Sequence, residues 1–241
     1  MLDYPLIIFD SGIGGFSILK ELVKYETKFV YFADSAYFPY GDKSEEFLKD
    51  RFVELAHFFS KQQASGLVIA CNTGTVTALS YLRGKLNFPI FGVEPVTKML
   101  KTYHSPVVWG TTITTNSDVA LNLRQVHGNH IRYYTPIGLA KAIEEDDMVK
   151  VKHILKTAKF ELGATDAIGL SCTHYPLVKN IITEVFVDIP IYDPSQAVAS
   201  HVAKTLKLKI KSDLSLKSQI NYQSTGSVVR LKQLALKHGL L

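Results

Sequence analysis

The chain has 241 residues, 46% of them hydrophobic and 20% charged, and its formal net charge is +5 at pH 7. This length and composition allow one large α/β domain or two small ones with a substantial core, and they exclude a largely disordered chain or a stapled mini-protein. No apolar run approaches the ~20 residues that cross a bilayer, and the first residues lack the basic flank and long apolar core of a secretory signal. We therefore expect a cytoplasmic protein that does not enter a membrane.

Four short runs rich in β-forming residues alternate with amphipathic stretches in the first part of the chain. The predicted strands cover residues 6–9, 29–32, 67–70 and 89–93. A glycine-rich loop and a helix follow the first strand, and Ser44 is placed to cap the helix between the second and third strands. Such alternation is typical of βαβ units around a mainly parallel sheet.

A second set of elements begins near residue 95, where we place a domain boundary. Its predicted elements are strands at 107–109, 131–134 and 167–171 and a helix at 148–162. Segment 212–219 is polar and loop-like. The strand at 220–223 and the helix from about Val228 that follow it could join either domain.

Much of the positive charge lies in the last third of the chain, at Lys204, Lys207, Lys209, Lys211 and Lys217. A positive surface can attract an anionic metabolite or nucleic acid. Because no aromatic residues for base stacking are interleaved with these lysines, we interpret the stretch as a solvated helix end and loop. Nucleic acid is therefore not an expected partner.

The two cysteines occupy equivalent places, each where a predicted strand gives way to a helix. Cys71 and Cys172 are both followed by small hydroxyl or amide side chains, and in the cytoplasm both are expected to be free thiols. In open α/β sheets ligands bind at such strand ends, where helix N-termini supply N–H groups and partial positive charge. This setting lowers a thiol pKa and also holds carboxylates, so one site could serve both a base and a substrate.

A thiol that acts as a base needs help from its neighbours. The ordinary cysteine pKa near 8.5 leaves only roughly 3% thiolate at pH 7. Asp10 and His174 are the candidates that could stabilise a thiolate or accept its proton. Taken singly, a cysteine after an apolar strand is more often a core residue, and His174 could be structural. The pairing of Cys71 with Cys172 favours catalysis.

Two other patterns have weaker functional interpretations. The loop at 10–15 could be a phosphate cradle, but it lacks the P-loop ending and the dinucleotide-binding spacing, so a glycine turn for close packing is an alternative. His127 and His130 have no carboxylate or cysteine nearby in sequence, so no metal site is expected.

With these residues in view, the chain resembles glutamate racemases, which belong to the aspartate/glutamate racemase superfamily. The likeness runs nearly end to end and rests on four motifs that occur together in this order. They are Phe9-Asp10-Ser11-Gly12-Ile13-Gly14-Gly15, Pro39-Tyr40-Gly41-Asp42-Lys43-Ser44, Ala70-Cys71-Asn72-Thr73 and Cys172-Thr173-His174-Tyr175-Pro176-Leu177.

The resemblance implies an α/β fold of two pseudo-symmetric domains, each a mainly parallel sheet flanked by helices, with the active site in the cleft between them. It assigns residues 1–95 plus 210–241 to the first domain and 96–209 to the second. It also implies racemisation without pyridoxal phosphate, metal or nucleotide. The expected partner is a small acidic amino acid, and a homodimer is left open.

The resemblance also implies roles for single residues. Cys71 and Cys172 would face opposite sides of the substrate's α carbon, Asp10 would assist Cys71, and His174 would assist Cys172. The residues expected to bind the substrate, largely through hydroxyls and backbone N–H groups, are Asp10, Ser11, Tyr40, Gly41, Asn72, Thr73, Thr114, Thr173 and His174. A threonine-rich loop of the second domain matches Thr111, Thr114 and Ser117.

The chain departs from the family pattern at a few positions beside the expected pocket. Gly74 stands where alanine is usual, Ser171 stands where glycine is usual, and Ile113 also differs. Segment 134–139 matches the family poorly. Three interpretations follow: a glutamate racemase that supplies D-glutamate for peptidoglycan, an aspartate or broad acidic amino-acid racemase, and a non-catalytic binding or regulatory homologue.

Overall fold

The computed structural model describes residues 3–213 and 219–241. Lys217 and most of segment 212–219, which the sequence analysis interpreted as a solvated loop, lie outside these residues. The described strands are β1 (Leu6–Asp10), β2 (Phe29–Ala33), β3 (Gly66–Ile69), β4 (Ile90–Gly92), β5 (Pro106–Gly110), β6 (Arg132–Tyr134), β7 (Ala167–Ser171), β8 (Ile191–Tyr192) and β9 (Ile220–Ser224). Among them only β8 has no counterpart in the strands predicted from sequence.

The helices connect and cover these strands. They are α1 (Phe16–Leu22), α2 (Glu45–Ser60), α3 (Asn72–Arg83), α4 (Thr112–Asn116), α5 (Asp118–His127), α6 (Leu139–Glu144), α7 (Met148–Leu162), α8 (Lys179–Val185), α9 (Ser195–Thr205) and α10 (Val228–Lys237). The predicted cap is confirmed, because the Ser44 side chain accepts a hydrogen bond from the Phe47 N–H at the start of α2.

The strands form two separate sheets, and all named pairs are parallel. The first sheet has the order β4-β3-β1-β2-β9, and the second has the order β6-β5-β7-β8. Parallel strands with helices on both faces need apolar side chains on both sides, which explains the nearly unbroken apolar run of β1. The predicted α/β fold class is confirmed.

Each sheet separates two hydrophobic clusters. Leu6 and Ile8 of β1 pack on one face of the first sheet, and Ile7 and Phe9 pack on the other. In β5 of the second sheet, Trp109 and its neighbours alternate between clusters in the same way. Residues along a strand point alternately to opposite faces, so the strands hold their ends at a fixed edge where the loops meet.

The structure differs from the boundary predicted at residue 209. Helix α9 buries Ala199, Val202 and Ala203 in the same cluster as Leu19 and Leu22 of α1, so it packs on the first sheet although its sequence was placed in the second domain. The small side chains of α9 permit close approach to α1. The final strand β9 also joins the first sheet, beside β2.

The lysine-rich stretch follows the end of α9. Lys204, Lys207 and Lys209 are exposed, in agreement with the solvated helix end predicted for them. Within the residues that the structure describes, no helix combines the length and apolar character that crossing a membrane requires.

Candidate active site

Cys71 lies at the junction of β3 and α3. It is the N-cap residue of α3, and its Sγ accepts a hydrogen bond from the Gly74 N–H at 3.4 Å. The Ser11 hydroxyl lies 3.9 Å from the same sulfur. The predicted strand-to-helix transition is therefore confirmed at Cys71, and a helix N-terminus points at its thiol.

The surroundings of Cys172 are different from those predicted. β7 ends at Ser171, but the chain then makes a short 3-10 turn at Tyr175–Val178 before α8 begins at Lys179. Pro176 lacks an N–H group and so cannot donate within a helix that would start at Cys172. The expectation of a helix N-terminus directly at the second thiol is wrong.

Both thiols line one small, narrow cavity of about 20 Å³, enough for about one water molecule. The residues that line it are Ser11, Phe38, Pro39, Tyr40, Gly41, Cys71, Asn72, Thr73, Thr111, Ala140, Cys172, Thr173 and His174. Most of the site residues expected from the sequence are thus brought together. Both cysteines are free and buried.

Asp10 and Thr114, also expected in the site, lie one hydrogen bond behind this lining. Asp10 is fully buried and accepts hydrogen bonds from the Gly12 N–H at 2.6 Å and the Thr173 hydroxyl at 3.0 Å. Burial raises its pKa to about 6, against the opposing effect of the His174 charge. Asp10 is therefore mostly ionised at pH 7, yet it can accept a proton more readily than an ordinary aspartate.

Burial has the larger effect at Cys71. It raises the pKa of this thiol well above its ordinary value, and the charge of Asp10 raises it further. The hydrogen bonds from Gly74 and Ser11 act in the opposite direction but do not compensate. The sequence-based expectation of a lowered pKa at a helix N-terminus is wrong for this cysteine, which rests as a thiol.

His174 is the cationic partner of the second thiol. Its Nε2 lies 2.8 Å from Oε2 of Glu144. Burial alone would lower the pKa of His174, but hydrogen bonding with Cys172 and Glu144 and the charge of Asp10 raise it well above its ordinary value. The ring of Phe38 packs against the imidazole, with 5.2 Å between ring centroids.

Glu144 is a site residue that the sequence analysis missed. It lies at the end of the short helix α6, just after the segment that resembles the family poorly, and no local pattern marks it. Its Oε2 also accepts a hydrogen bond from the Ile13 N–H at 2.8 Å. Glu144 therefore ties the glycine-rich loop after β1 to the imidazole of His174.

The glycines of that loop allow this close packing. A Cβ at Gly12 would overlap the carboxylate of Glu144, and one at Gly14 would overlap the His174 ring and lie 2.6 Å from the Thr173 hydroxyl. This favours the interpretation of the loop as a packing turn over that of a phosphate cradle.

A cluster of threonine hydroxyls joins the two halves of the chain beside the cavity. The Oγ1 atoms of Thr73 and Thr111 are 2.8 Å apart, and those of Thr111 and Thr114 are 3.0 Å apart. Gly41 fits against Thr111, since a Cβ there would lie 2.7 Å from the threonine Cβ. Ser117 instead caps α5, where it accepts from the Ala120 N–H.

Asn72 offers an unsatisfied acceptor beside the thiols. Its Nδ2 donates to the Val93 carbonyl at 3.0 Å, while its buried Oδ1 has no hydrogen-bond partner among the described residues. An ammonium group in the cavity would supply the missing donor, because buried polar atoms are normally paired.

The hydroxyl of Tyr40 does not serve the cavity directly. It donates to Oδ2 of Asp34 at 2.5 Å, although Tyr40 itself lines the cavity. Only the backbone and ring of the turn that contains Gly41 remain to contact a ligand there.

The departures from the family pattern fall around the cavity rather than in it. A Cβ at Gly74 would meet the Phe52 ring at 3.1 Å, on the core side of α3. The Ser171 hydroxyl accepts a hydrogen bond from the Val96 N–H at 3.0 Å. Ile113 lines an adjacent open cavity of about 410 Å³. Within the described part of the chain, no group of three or more His, Cys, Asp or Glu side chains is arranged to hold a metal ion.

Comparison with known proteins gives a consistent family. The sequence model described as Asp/Glu/Hydantoin racemase matches residues 20–202. A glutamate racemase of Clostridium acetobutylicum is 34% identical over 252 aligned positions, covering 98% of this chain and 97% of that protein. The structure of glutamate racemase from Campylobacter jejuni subsp. jejuni has a TM-score of 0.84 at 25% identity, covering 98% of this chain and 99% of that one.

A solved complex also matches this fold. It is glutamate racemase from Thermus thermophilus in complex with beta-chloro-D-alanine, with a TM-score of 0.79 at 28% identity, covering 98% of this chain and 93% of that one. With its two parallel sheets and paired thiols, the chain belongs to the Asp/Glu/Hydantoin racemase family and is an isomerase of the racemase type.

Proposed function

We propose that the protein interconverts L- and D-glutamate by a two-base mechanism without a cofactor, in which Cys71 and Cys172 carry the protons. The observation that carries this proposal is that both thiols line one narrow cavity while each has its own acid–base partner. The names of the similar glutamate racemases support glutamate as the substrate.

In one direction the Cys172 thiolate removes the α proton, and the Cys71 thiol donates its proton to the opposite face of the carbon. The electron pair of the broken C–H bond stays on the α carbon until it forms the new bond. A protonated His174 stabilises a thiolate at Cys172, and the raised pKa of Cys71 keeps the donor protonated. In the other direction the two thiols exchange roles.

Asp10 supplies what Cys71 needs when it acts as the base. Because the thiol pKa is raised, an acceptor for its proton has to lie nearby. The Asp10 carboxylate, with a pKa of about 6, is ionised at pH 7 and interacts with the charge of the thiolate. A proton that moves from Cys71 to Asp10 leaves the thiolate that the reverse reaction requires.

The polar lining accounts for binding of an acidic amino acid. The free Oδ1 of Asn72 would accept from the ammonium group, and the hydroxyls of Ser11 and Thr73 would donate to carboxylates, while the Thr173 hydroxyl already donates to Asp10. Donors placed where the carbanion's charge develops can contribute ~3 kcal/mol each to transition-state stabilisation. Since the cavity holds only about one water molecule, the substrate enters only when the lining moves apart.

We also propose that the reaction takes place in the cytoplasm and supplies D-glutamate for peptidoglycan. The mechanism needs two reduced thiols, and both cysteines are free. A bacterial strain that requires D-glutamate should grow without it when this chain is expressed. The Cys71→Ser variant should not restore growth.

Proton exchange in deuterium oxide tests the reaction directly. The wild-type protein should place deuterium at the α carbon of glutamate while it racemises either enantiomer. Cys71→Ser and Cys172→Ser should each reduce kcat/KM at least ~1,000-fold, and full activity in either variant would rule out the two-thiol mechanism. Turnover of aspartate alone would overturn the substrate assignment, and absence of exchange would favour a non-catalytic homologue.

A further inference from the structure

A second buried carboxylate lies outside the thiol cavity and joins three separate segments. Asp34 follows β2 and is fully buried. Arg51 of α2 donates from Nε to its Oδ2 at 2.9 Å and from Nη2 to its Oδ1 at 2.7 Å. The Tyr40 hydroxyl donates to Oδ2 at 2.5 Å, and the Thr225 hydroxyl donates to Oδ1 at 2.9 Å. Each carboxylate oxygen therefore accepts two hydrogen bonds.

These bonds fix the turn that covers the thiols. Tyr40 is buried, with its ring packed between those of Phe9 and Phe52 at centroid distances of 6.3 and 5.8 Å. Tyr40 and Gly41 line the cavity that contains both cysteines. With its ring packed and its hydroxyl bound to Asp34, the turn has little freedom to leave the thiols.

Thr225 connects the same carboxylate to the segment between β9 and α10. Besides its bond to Asp34, its hydroxyl accepts from the Ala36 N–H at 3.1 Å, and its own N–H donates to the Ala33 carbonyl at 3.1 Å. Helix α10, which follows, reaches the residue behind His174, because Arg230 donates to the carbonyl of Glu144. One continuous segment thus contacts residues that support the cavity lining on two sides.

We propose that Asp34 is a positioning residue that keeps the Tyr40–Gly41 turn against the two thiols. Thr225 couples the position of this turn to the segment between β9 and α10. Asp34 itself does not line the cavity. Its carboxylate acts through Tyr40. The position of this turn controls access to the thiols, and, as far as the proposed racemisation is correct, it also sets the KM for glutamate.

The rate at which iodoacetamide alkylates the two cysteines measures how firmly the Tyr40–Gly41 turn is kept in place, and it does not rely on turnover. The cavity holds only about one water molecule and each cysteine is only 6% exposed, so the alkylation rate reports how often the lining moves apart. Tyr40→Phe should accelerate alkylation about tenfold, the change that corresponds to one lost hydrogen bond to a charged group. Thr225→Val should accelerate it about fivefold, and Thr225→Ser should restore the wild-type rate.

Tyr222→Phe is the matched control. Tyr222 of β9 is likewise a buried tyrosine, and its hydroxyl donates to the Leu240 carbonyl at 2.9 Å, away from the cavity. This control should leave the alkylation rate unchanged. Melting temperatures of all variants distinguish release of the Tyr40–Gly41 turn from general destabilisation. Mass spectrometry assigns the modified cysteine.

The outcomes separate this inference from the proposed function. Faster alkylation in Tyr40→Phe and Thr225→Val supports the positioning role, together with a glutamate KM raised by a similar factor at nearly constant kcat. Unchanged alkylation in both variants, or equal acceleration in Tyr222→Phe, overturns it even if the protein racemises glutamate. A wild-type protein without α-proton exchange that still shows the alkylation pattern disproves the racemase proposal and retains the positioning role.

Discussion

The two cysteine sides of the cavity look alike in sequence but differ in chemistry. Cys71 caps a helix of twelve residues and faces the carboxylate of Asp10. Cys172 is followed by a short turn and faces the imidazole of His174, which is paired with Glu144. Equivalent strand ends therefore place the thiols together, while the segments around each strand end decide whether its partner is anionic or cationic.

The largest effects should come from removing either partner. Asp10→Asn and His174→Asn should each lower kcat/KM by roughly 1,000-fold, the range of general acid–base catalysis. Because L- and D-glutamate have equal free energies, kcat/KM must fall equally in both directions. The difference between the two cysteine sides should therefore appear in the kinetic isotope effect with α-deuterated substrate. Asp10→Asn should raise this isotope effect for one enantiomer, and His174→Asn should raise it for the other. Identical isotope effects in both variants would contradict two distinct sides.

The pH profile should separate the same two partners. Below its pKa of about 6 Asp10 is protonated and cannot accept a proton from Cys71, so wild-type kcat/KM should rise with pH through about 6. It should fall again at high pH, where His174 loses its proton. Asp10→Asn should lack the rising limb. A rising limb that survives in this variant would assign it to another group.

Crowding the Cys172 side should have the next largest effect. In Gly14→Ala the new methyl group overlaps the His174 ring, which should move the imidazole and reduce kcat about 100-fold. Gly84→Ala is the matched control, since a Cβ there lies 3.5 Å from its nearest neighbour. Steady-state kinetics should show wild-type activity in the control, and normal activity in Gly14→Ala would contradict the tight packing of this loop.

Neutralising Glu144 should have a smaller effect. Glu144→Gln keeps a hydrogen-bonding side chain beside His174 but removes its charge, so the imidazole pKa should fall and the high-pH limb of kcat/KM should move to lower pH. We expect kcat to decrease about tenfold. Glu145→Gln changes the neighbouring residue, which pairs with Lys141 at 3.9 Å, and its profile should match that of the wild type. An unmoved limb in Glu144→Gln would rule out this role.

The smallest effect should come from Gly74→Ala, on the Cys71 side. Alanine favours the helix by roughly 0.5–1 kcal/mol, while the methyl group would crowd the Phe52 ring at 3.1 Å. The opposing contributions should leave the free energy of unfolding within ~1 kcal/mol of the wild type in denaturant titrations, with kcat within about twofold. A loss of activity would show that the Gly74 N–H has to stay in place for Cys71.

Regular patterns made much of this arrangement predictable. Apolar runs ending at Cys71 and Cys172 located the strands, and the polar residues after them indicated the site because parallel strands present their carboxyl ends at one edge. The packing of α9 was not predictable in this way, since its apolar face fits either sheet and only the contact with α1 decides.

Other features depended on tertiary contacts with no local signal. Glu144 reaches His174 from a separate helix, and the Tyr40 hydroxyl turns to Asp34, so neither partner follows from spacing along the chain. The raised pKa of Cys71 likewise reflects burial, and helix position alone suggested the opposite direction.

The pairing of β2 with β9 has a consequence for biosynthesis. Residues 29–33 align with residues 220–224, so the sheet edge beside the active site closes only after most of the chain has left the ribosome. Contacts this distant in sequence form slowly. During that interval the Tyr40 turn lacks its link through Asp34 to Thr225, and oxidants or alkylating agents should damage the newly made protein more readily than the mature one.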